Sequence, residues 1–183
     1  RNIQYPISNT EYNKTPGSIR LVSVARISPE KGTLHALRFL KEIKEGKIHY
    51  DLYGPVYNEA YWKECTEVIA TLPPNVTVTW HGPVDGERVG EVLSKAHFLL
   101  MTTEGENFGH TILEALSAGI PVIISDRTPW RDLEAKKAGF DLSLDDAAAF
   151  IHVLKQAVAM DDPEWTELSA GALAQAMEYI SDQ

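Results

Sequence analysis

The chain has 183 residues, of which 44% are hydrophobic and 23% charged, the balance of a globular protein with one substantial core. Its net charge of -9, from 26 acids against 17 bases, argues against broad nucleic-acid binding, which needs an excess of Lys and Arg, but a local basic pair can still hold a small anion. A single cysteine, Cys65, excludes an internal disulfide and a cysteine metal cluster and points to a reduced, cytosolic compartment; no apolar run reaches the length of a membrane span, and no signal peptide is visible.

Residues 1–18 are polar, carry Pro and Gly, and show no period. They read as an incoming linker, and because the chain starts at Arg1 rather than Met it reads as a piece of something longer. From Arg20 onward short apolar runs alternate with helical stretches. Strands are predicted over 21–25, 50–53, 76–80, 98–101 and 122–125, with a short sixth over 140–142. The helices between them are predicted over 29–43, 59–71, 86–95 and 108–117. Two more close the chain, over 145–160 and 163–180, with Asp145-Asp146 suited to a helix cap and Pro163 to a first turn. Strands alternating with helices of this length imply βαβ units, hence an α/β fold: a Rossmann-like, mostly parallel sheet of about six strands with helices on both faces.

The residues able to carry chemistry recur at one place. Arg26 and Lys31 follow the first strand, Gly54-Pro55 the second, Gly82-Pro83 the third, and Glu104 to Gly109 the fourth. All fall at carboxyl ends of strands, where open α/β sheets bind ligands. Arg can grip a phosphate through two N–H groups and Lys adds a point charge, so Arg26 and Lys31 on one loop suit a diphosphate. Gly54 and Gly82 serve equally as turn glycines or as places where backbone approaches a flat base.

The stretch from Glu106 to Glu114 is the most informative. Two carboxylates are separated by a turn, Asn107-Phe108-Gly109, and an apolar helical run, Ile112, Leu113 and Leu116. A helix N-terminus offers free N–H groups to phosphate. At ~1.5 Å rise per residue the two acids lie on the order of 10 Å apart, too far to share a proton or a metal. Carboxylates accept from sugar hydroxyls, so the spacing fits an extended ligand with a diphosphate at its middle. His110 sits in the first turn beside that phosphate. The histidines show no metal-ligand spacing; Trp62, Trp80, Trp130 and Trp165 read as packing, with Trp130 also placed to cover a ligand. Neither a GxGxxG after the first strand nor a GxxxxGK[ST] occurs, which leaves a dinucleotide oxidoreductase poorly supported and a P-loop NTPase unsupported.

Together these motifs resemble the donor-binding half of the family-4, "group 1" retaining glycosyltransferases, enzymes with two Rossmann-like domains. The resemblance rests on the Glu-x7-Glu motif with Phe-Gly, here Glu106 to Glu114, and on the Ala25-Arg26…Lys31-Gly32 loop, and it covers roughly residues 20–180. It implies that 19–183 form the nucleotide-sugar domain and that 1–18 lead from an absent N-terminal acceptor domain. It implies a UDP-, GDP- or ADP-sugar as substrate, no required cofactor or metal, and a glycan or lipid-linked acceptor held by the other domain. By the same resemblance Arg26 and Lys31 hold the diphosphate. Glu106, the residue nearest to catalysis, binds the donor sugar with Asn107, Phe108, Gly109 and His110. Glu114 takes the ribose, and Gly54, Gly82, Pro83 and Val84 lie near the base. The implied location is cytoplasmic, with contact at the inner face of a membrane left open, and the fragment alone should transfer little. After the fifth strand the family's Gly-Gly-x-Pro-Glu loop is replaced by Asp126-Arg127-Thr128-Pro129-Trp130-Arg131-Asp132. Two other readings stay open: a non-catalytic nucleotide-sugar-binding module, and a same-fold sugar-nucleotide epimerase or glycogen-type synthase.

Overall fold

The structure is a computed structural model that describes residues 13–183. Residues 1–12 of the expected linker lie outside the described residues. The remainder of that stretch is mostly exposed but anchored at one residue: Lys14 is buried, its Nζ donates to the carbonyls of Val158 and Met160 at 2.9 Å, and its backbone N–H donates to Asp162.

Six strands form one sheet: β1 (Ser18–Val24), β2 (Lys47–Tyr53), β3 (Val76–Trp80), β4 (Phe98–Met101), β5 (Val122–Ser125) and β6 (Gly139–Leu142). Every pairing is parallel and the order is β3-β2-β1-β4-β5-β6, so the sheet is Rossmann-like as expected. Strand residues alternate between two cores, which is what burial on both faces demands. Leu21, Phe98, Leu100 and Ile123 pack on one side with α1 (Thr33–Lys41), α2 (Glu59–Ile69) and α5 (Ala147–Ala159). Val22, Leu99, Met101, Val122 and Ile124 pack on the other with α3 (Val89–Ser94), α4 (His110–Ser117) and α6 (Asp162–Ser181). Cys65, on α2, is buried in the first core. Among the described residues no helix is long and apolar enough to cross a membrane.

Four predicted helices start later than the pattern implies, the one expected from Asp145 at Ala147, directly behind its cap Asp146. The stretch expected over 29–43 divides into a 3-10 turn (Pro29–Lys31) and α1, because Gly32 takes the left-handed conformation at φ 67. A Cβ there would stand 1.9 Å from the Thr102 carbonyl oxygen, so only glycine lets this loop lie against the end of β4. The stretch expected over 86–95 likewise opens as a 3-10 turn (Gly86–Arg88) before α3. The one expected from Phe108 begins at His110, since Gly109 sits at φ 79 as its cap. At the other end the local signals work: Asp146 caps α5 through Ala149 N–H, and Asp161 and Glu164 cap α6 reciprocally.

Candidate functional site

The strand order reverses at β1, which has β2 on one side and β4 on the other, so the loops after β1 and β4 part and leave a crevice. A cleft of about 360 Å³ occupies it, lined by Val24, Ala25, Arg26, Lys31, Pro55, Tyr57, Met101, Glu106, Gly109, His110 and Thr111. Arg26, Lys31, Glu106, Gly109 and His110 thus share one surface, as their common position at strand ends implies.

Their positions follow from a lattice of hydrogen bonds at the end of β4. Thr102 Oγ1 donates to the Gly32 carbonyl at 2.8 Å and accepts from Ala36 N–H at 3.1 Å. Glu104 N–H reaches the Glu30 carbonyl at 2.9 Å, and Thr103 Oγ1 reaches the same oxygen at 3.1 Å. The loop that carries Lys31 is thus fastened to the loop that carries Glu106. Lys31 Nζ donates to Glu106 Oε1 at 2.5 Å, with both side chains mostly buried, and Thr103 Oγ1 stands 3.3 Å from the same carboxylate oxygen. Glu106 N–H donates to the Arg127 carbonyl at 3.0 Å, which fixes the turn from the β5 side. Outside this pair, Glu104 meets His35 at 2.6 Å and Arg127 at 2.7 Å. The His35 contact, followed by the Arg127 charge, holds the Glu104 carboxyl below the usual carboxylate range.

Arg26 is exposed, and its guanidinium lies 5.5 Å from the Tyr57 ring centroid. The Tyr57 backbone is pinned by a short parallel bridge, Ile27 with Val56, and by its N–H on the Ile27 carbonyl. Helix α4 opens with no side chain capping its N-terminus, and its first two residues, His110 and Thr111, line the cleft. Glu114, one turn further, is solvent-exposed yet close enough to the protein that desolvation pushes its carboxyl up, against the pull of His110.

Other expected site residues lie elsewhere. Asn107 and Phe108 do not line this cleft; their side chains turn away, and the Phe108 carbonyl accepts from Trp130 Nε1 at 2.8 Å. Trp130, read as packing or cover, is buried and braces this turn. Gly54, Gly82, Pro83 and Val84 form the neighbouring rim: Gly54 N–H donates to the Gly82 carbonyl at 2.8 Å, and Val84 packs on the second core. A Cβ on Gly54 would lie 1.8 Å from the Ala25 carbonyl oxygen, so this glycine permits the close approach of β2 to the Ala25-Arg26 loop. Trp80, expected to pack, is 42% exposed and anchored by Nε1 on the Gly54 carbonyl. Sequence reasoning missed Thr103, Tyr57 and Thr111. The only local signal was the Thr102-Thr103 pair directly after an apolar strand.

Residues 6–168 match the family model described as Glycosyl transferases group 1. Sulfoquinovosyl transferase SQD2 of Arabidopsis thaliana is 27% identical over 111 residues, covering 61% of this chain and 20% of that protein. The serotype-specific mannosyltransferase WbdA of Escherichia coli is 24% identical over 123 residues, 65% of this chain and 15% of that protein. Among solved structures, Anabaena Alr3699/HepE in complex with UDP and glucose superposes with a TM-score of 0.77 at 20% identity, over 88% of this chain and 44% of that one. That likeness concerns the fold, and the chain spans less than half the length of each of these relatives.

Proposed function

The chain belongs to the group 1 glycosyl transferases, and on that premise we propose that residues 19–183 are the half of a retaining enzyme that holds a nucleotide-sugar donor. The observation that carries this reading is the convergence of Arg26, Lys31, Glu106 and the uncapped start of α4 on one cleft at the sheet's switch point. Cations and helix N–H groups suit a diphosphate, and a carboxylate beside them suits sugar hydroxyls. The donor is a UDP-, GDP- or ADP-sugar with no metal required. Glu114 takes the ribose, and the rim of Gly54, Gly82, Pro83 and Val84 lies toward the base.

In this reading the bond from the anomeric carbon to the diphosphate oxygen breaks, and a bond to the acceptor oxygen forms on the same face. The acceptor proton passes to the departing phosphate. Arg26 and Lys31 stabilise the charge that develops on that phosphate, and Glu106 orients the sugar. The acceptor, a glycan or lipid-linked sugar, is held by a second domain, so this half by itself transfers little, because rate depends on holding both reactants together. The enzyme works in the cytoplasm, at a membrane face where its acceptor is lipid-linked.

Calorimetric titration of the chain with UDP, GDP and ADP, with and without magnesium, tests the donor site. Saturable binding of one nucleotide, independent of magnesium and lost in Lys31→Ala, is the expected result. Absence of binding to all three, in this chain and in the full-length protein, would discard it.

A further inference from the structure

The turn from Glu106 to Gly109 divides its residues between two clefts. Glu106 and Gly109 line the one described above, whereas Asn107 and Phe108 line a second, of about 410 Å³, which shares no residue with the first. The second cleft lies among this turn, the loop after β5, and the C-terminal half of α6. Its size falls in the range of small-molecule sites, on the order of 300 to 1,000 Å³.

Its lining joins aromatic rings to mixed polar groups. Phe108, Trp130 and Tyr179 form one cluster, with centroids 5.6 Å apart for Phe108 and Tyr179 and 5.0 Å for Trp130 and Tyr179. Around it stand polar side chains that the protein leaves unused. Gln175 Oε1 is buried with no hydrogen-bond partner among the described residues. The Asp132 carboxylate and the Lys136 ammonium likewise make no ion pair or hydrogen bond among the described residues. An amide oxygen left buried and unpaired is costly, so the Gln175 side chain, which lines the cleft, gains by turning its amide outward to a ligand hydroxyl.

The loop is also held rigid. Asp132 takes the left-handed conformation at φ 58, which Asp adopts more readily than most non-glycine residues, and its N–H is fixed by Asp141 at 3.3 Å. Asp141 further accepts from Leu133 N–H at 2.9 Å and from Arg131 Nε at 3.2 Å. An irregular surface loop fastened in this way presents its side chains at little further entropic cost to a ligand.

From this geometry we infer that the second cleft is a carbohydrate subsite, which takes one pyranose unit of the acceptor or product glycan, a unit other than the one that the second domain holds for transfer. Phe108 and Tyr179, both part-exposed, offer apolar surface to the C–H face of a pyranose, and the buried Trp130 ring backs them. The ring hydroxyls, each both donor and acceptor, match a set holding a carboxylate, an ammonium and an amide. An anion alone would not call for Asp132, and an apolar ligand would leave Gln175 unsatisfied. Its assignment to the acceptor glycan rests on the transferase reading above, while its carbohydrate chemistry does not.

The test is nuclear magnetic resonance of the ¹⁵N-labelled chain titrated separately with methyl α-D-glucopyranoside, methyl α-D-galactopyranoside, methyl α-D-mannopyranoside and N-acetyl-D-glucosamine. At least one sugar should shift the Gln175 side-chain amide and the Trp130 indole N–H saturably. Asp132→Asn, which keeps the left-handed backbone accessible, and Lys136→Met, on the surface, should each weaken that binding at least fivefold with unchanged melting. UDP, GDP or ADP should instead move Lys31 and Gly109. Silence toward all four sugars overturns the proposal, as does saturation indifferent to both variants, or a nucleotide that moves both sets of resonances alike. Saturation by a sugar with no nucleotide response would leave this subsite standing and remove the donor-site reading.

Discussion

Lys31 and Glu106 are 75 residues apart in the chain and 2.5 Å apart in the fold. Each belongs to a different loop, and each has a different task in the proposed donor site: the cation toward diphosphate, the acid toward sugar. While the pair is closed, one of the three Lys31 N–H donors and one Glu106 oxygen are engaged with each other. Any phosphate that engages Lys31 does so beside, or in place of, a carboxylate of the same charge.

That competition gives opposite expectations for the two partners. Glu106→Gln removes the rival charge, so inorganic pyrophosphate and free nucleoside diphosphates should bind several-fold tighter. Lys31→Ala should weaken them at least tenfold, on the order of 1.4 kcal/mol. Both substitutions should cut transfer by the full-length enzyme at least tenfold. Calorimetry with pyrophosphate separates them, and a Glu106→Gln variant as weak as Lys31→Ala would show that the carboxylate does not compete.

Glu114 carries a pH signature. Desolvation raises its carboxyl above the ordinary 4.5, so the neutral form appears at higher pH than an unshifted glutamate would show. Only the ionised form accepts from two ribose hydroxyls. Nucleotide affinity should therefore be full at neutral pH and begin to fall before pH reaches 4.5 on acidification. Pyrophosphate, which has no ribose, should not show this component, and Glu114→Gln should abolish it. Matching acid profiles for nucleotide and pyrophosphate would exclude the ribose contact.

Three glycine-to-alanine changes should order themselves by backbone and space. Gly32 combines φ 67 with a backbone oxygen that would stand 1.9 Å from an added Cβ, so Gly32→Ala should cost about 2–4 kcal/mol. At Gly109, φ 79, the nearest atom to an added Cβ is the flexible Ile112 Cδ1 at 2.9 Å, and its alanine should cost about 1–2 kcal/mol. Gly90 lies inside α3 with nothing within 4 Å, so Gly90→Ala should stabilise by about 0.5–1 kcal/mol. Urea unfolding of the three variants checks the order; equal costs at Gly32 and Gly90 would contradict it.

The buried thiol sets part of the alkaline limit. Burial, then the neighbouring Glu64, pushes Cys65 up to about 12 from 9.0. The unfolded chain releases this proton first, so the stability it contributes is complete below pH 9 and is lost as pH climbs toward 12. Cys65→Ala should lose less stability between about pH 8 and about pH 10.5 than the parent chain, measured by urea midpoints. An identical loss in both would assign the alkaline limit to other groups, among them Tyr61, which burial also raises to about 12.

Much of this molecule was legible in the chain's own pattern. The apolar runs marked all six strands, most plainly β4 and β5, because a strand buried on both faces has to be apolar along its length. Asp146 and Pro163 announced helix starts, since a cap acts on residues three apart and proline suits a first turn. Arg26, Lys31 and Glu106 were expected on one rim and line one cleft, because parallel strands bring their following loops to one edge. Local pattern failed where a distant neighbour decides. Gly32 splits a helix because Thr102 lies against it, and Trp80 stays exposed at an edge strand that no periodicity identifies as an edge.

The sequence by itself determined the elements, the parallel sheet and the rim on which the chemistry gathers, for these depend on hydrophobic period and on spacings of a few residues. Only the tertiary structure decided that Lys31 closes on Glu106, that Thr103 holds both loops, and that the Glu106 to Gly109 turn serves two clefts. Those relations depend on β1 lying beside β4, a neighbour chosen by the packing of the whole sheet rather than by either strand's own residues.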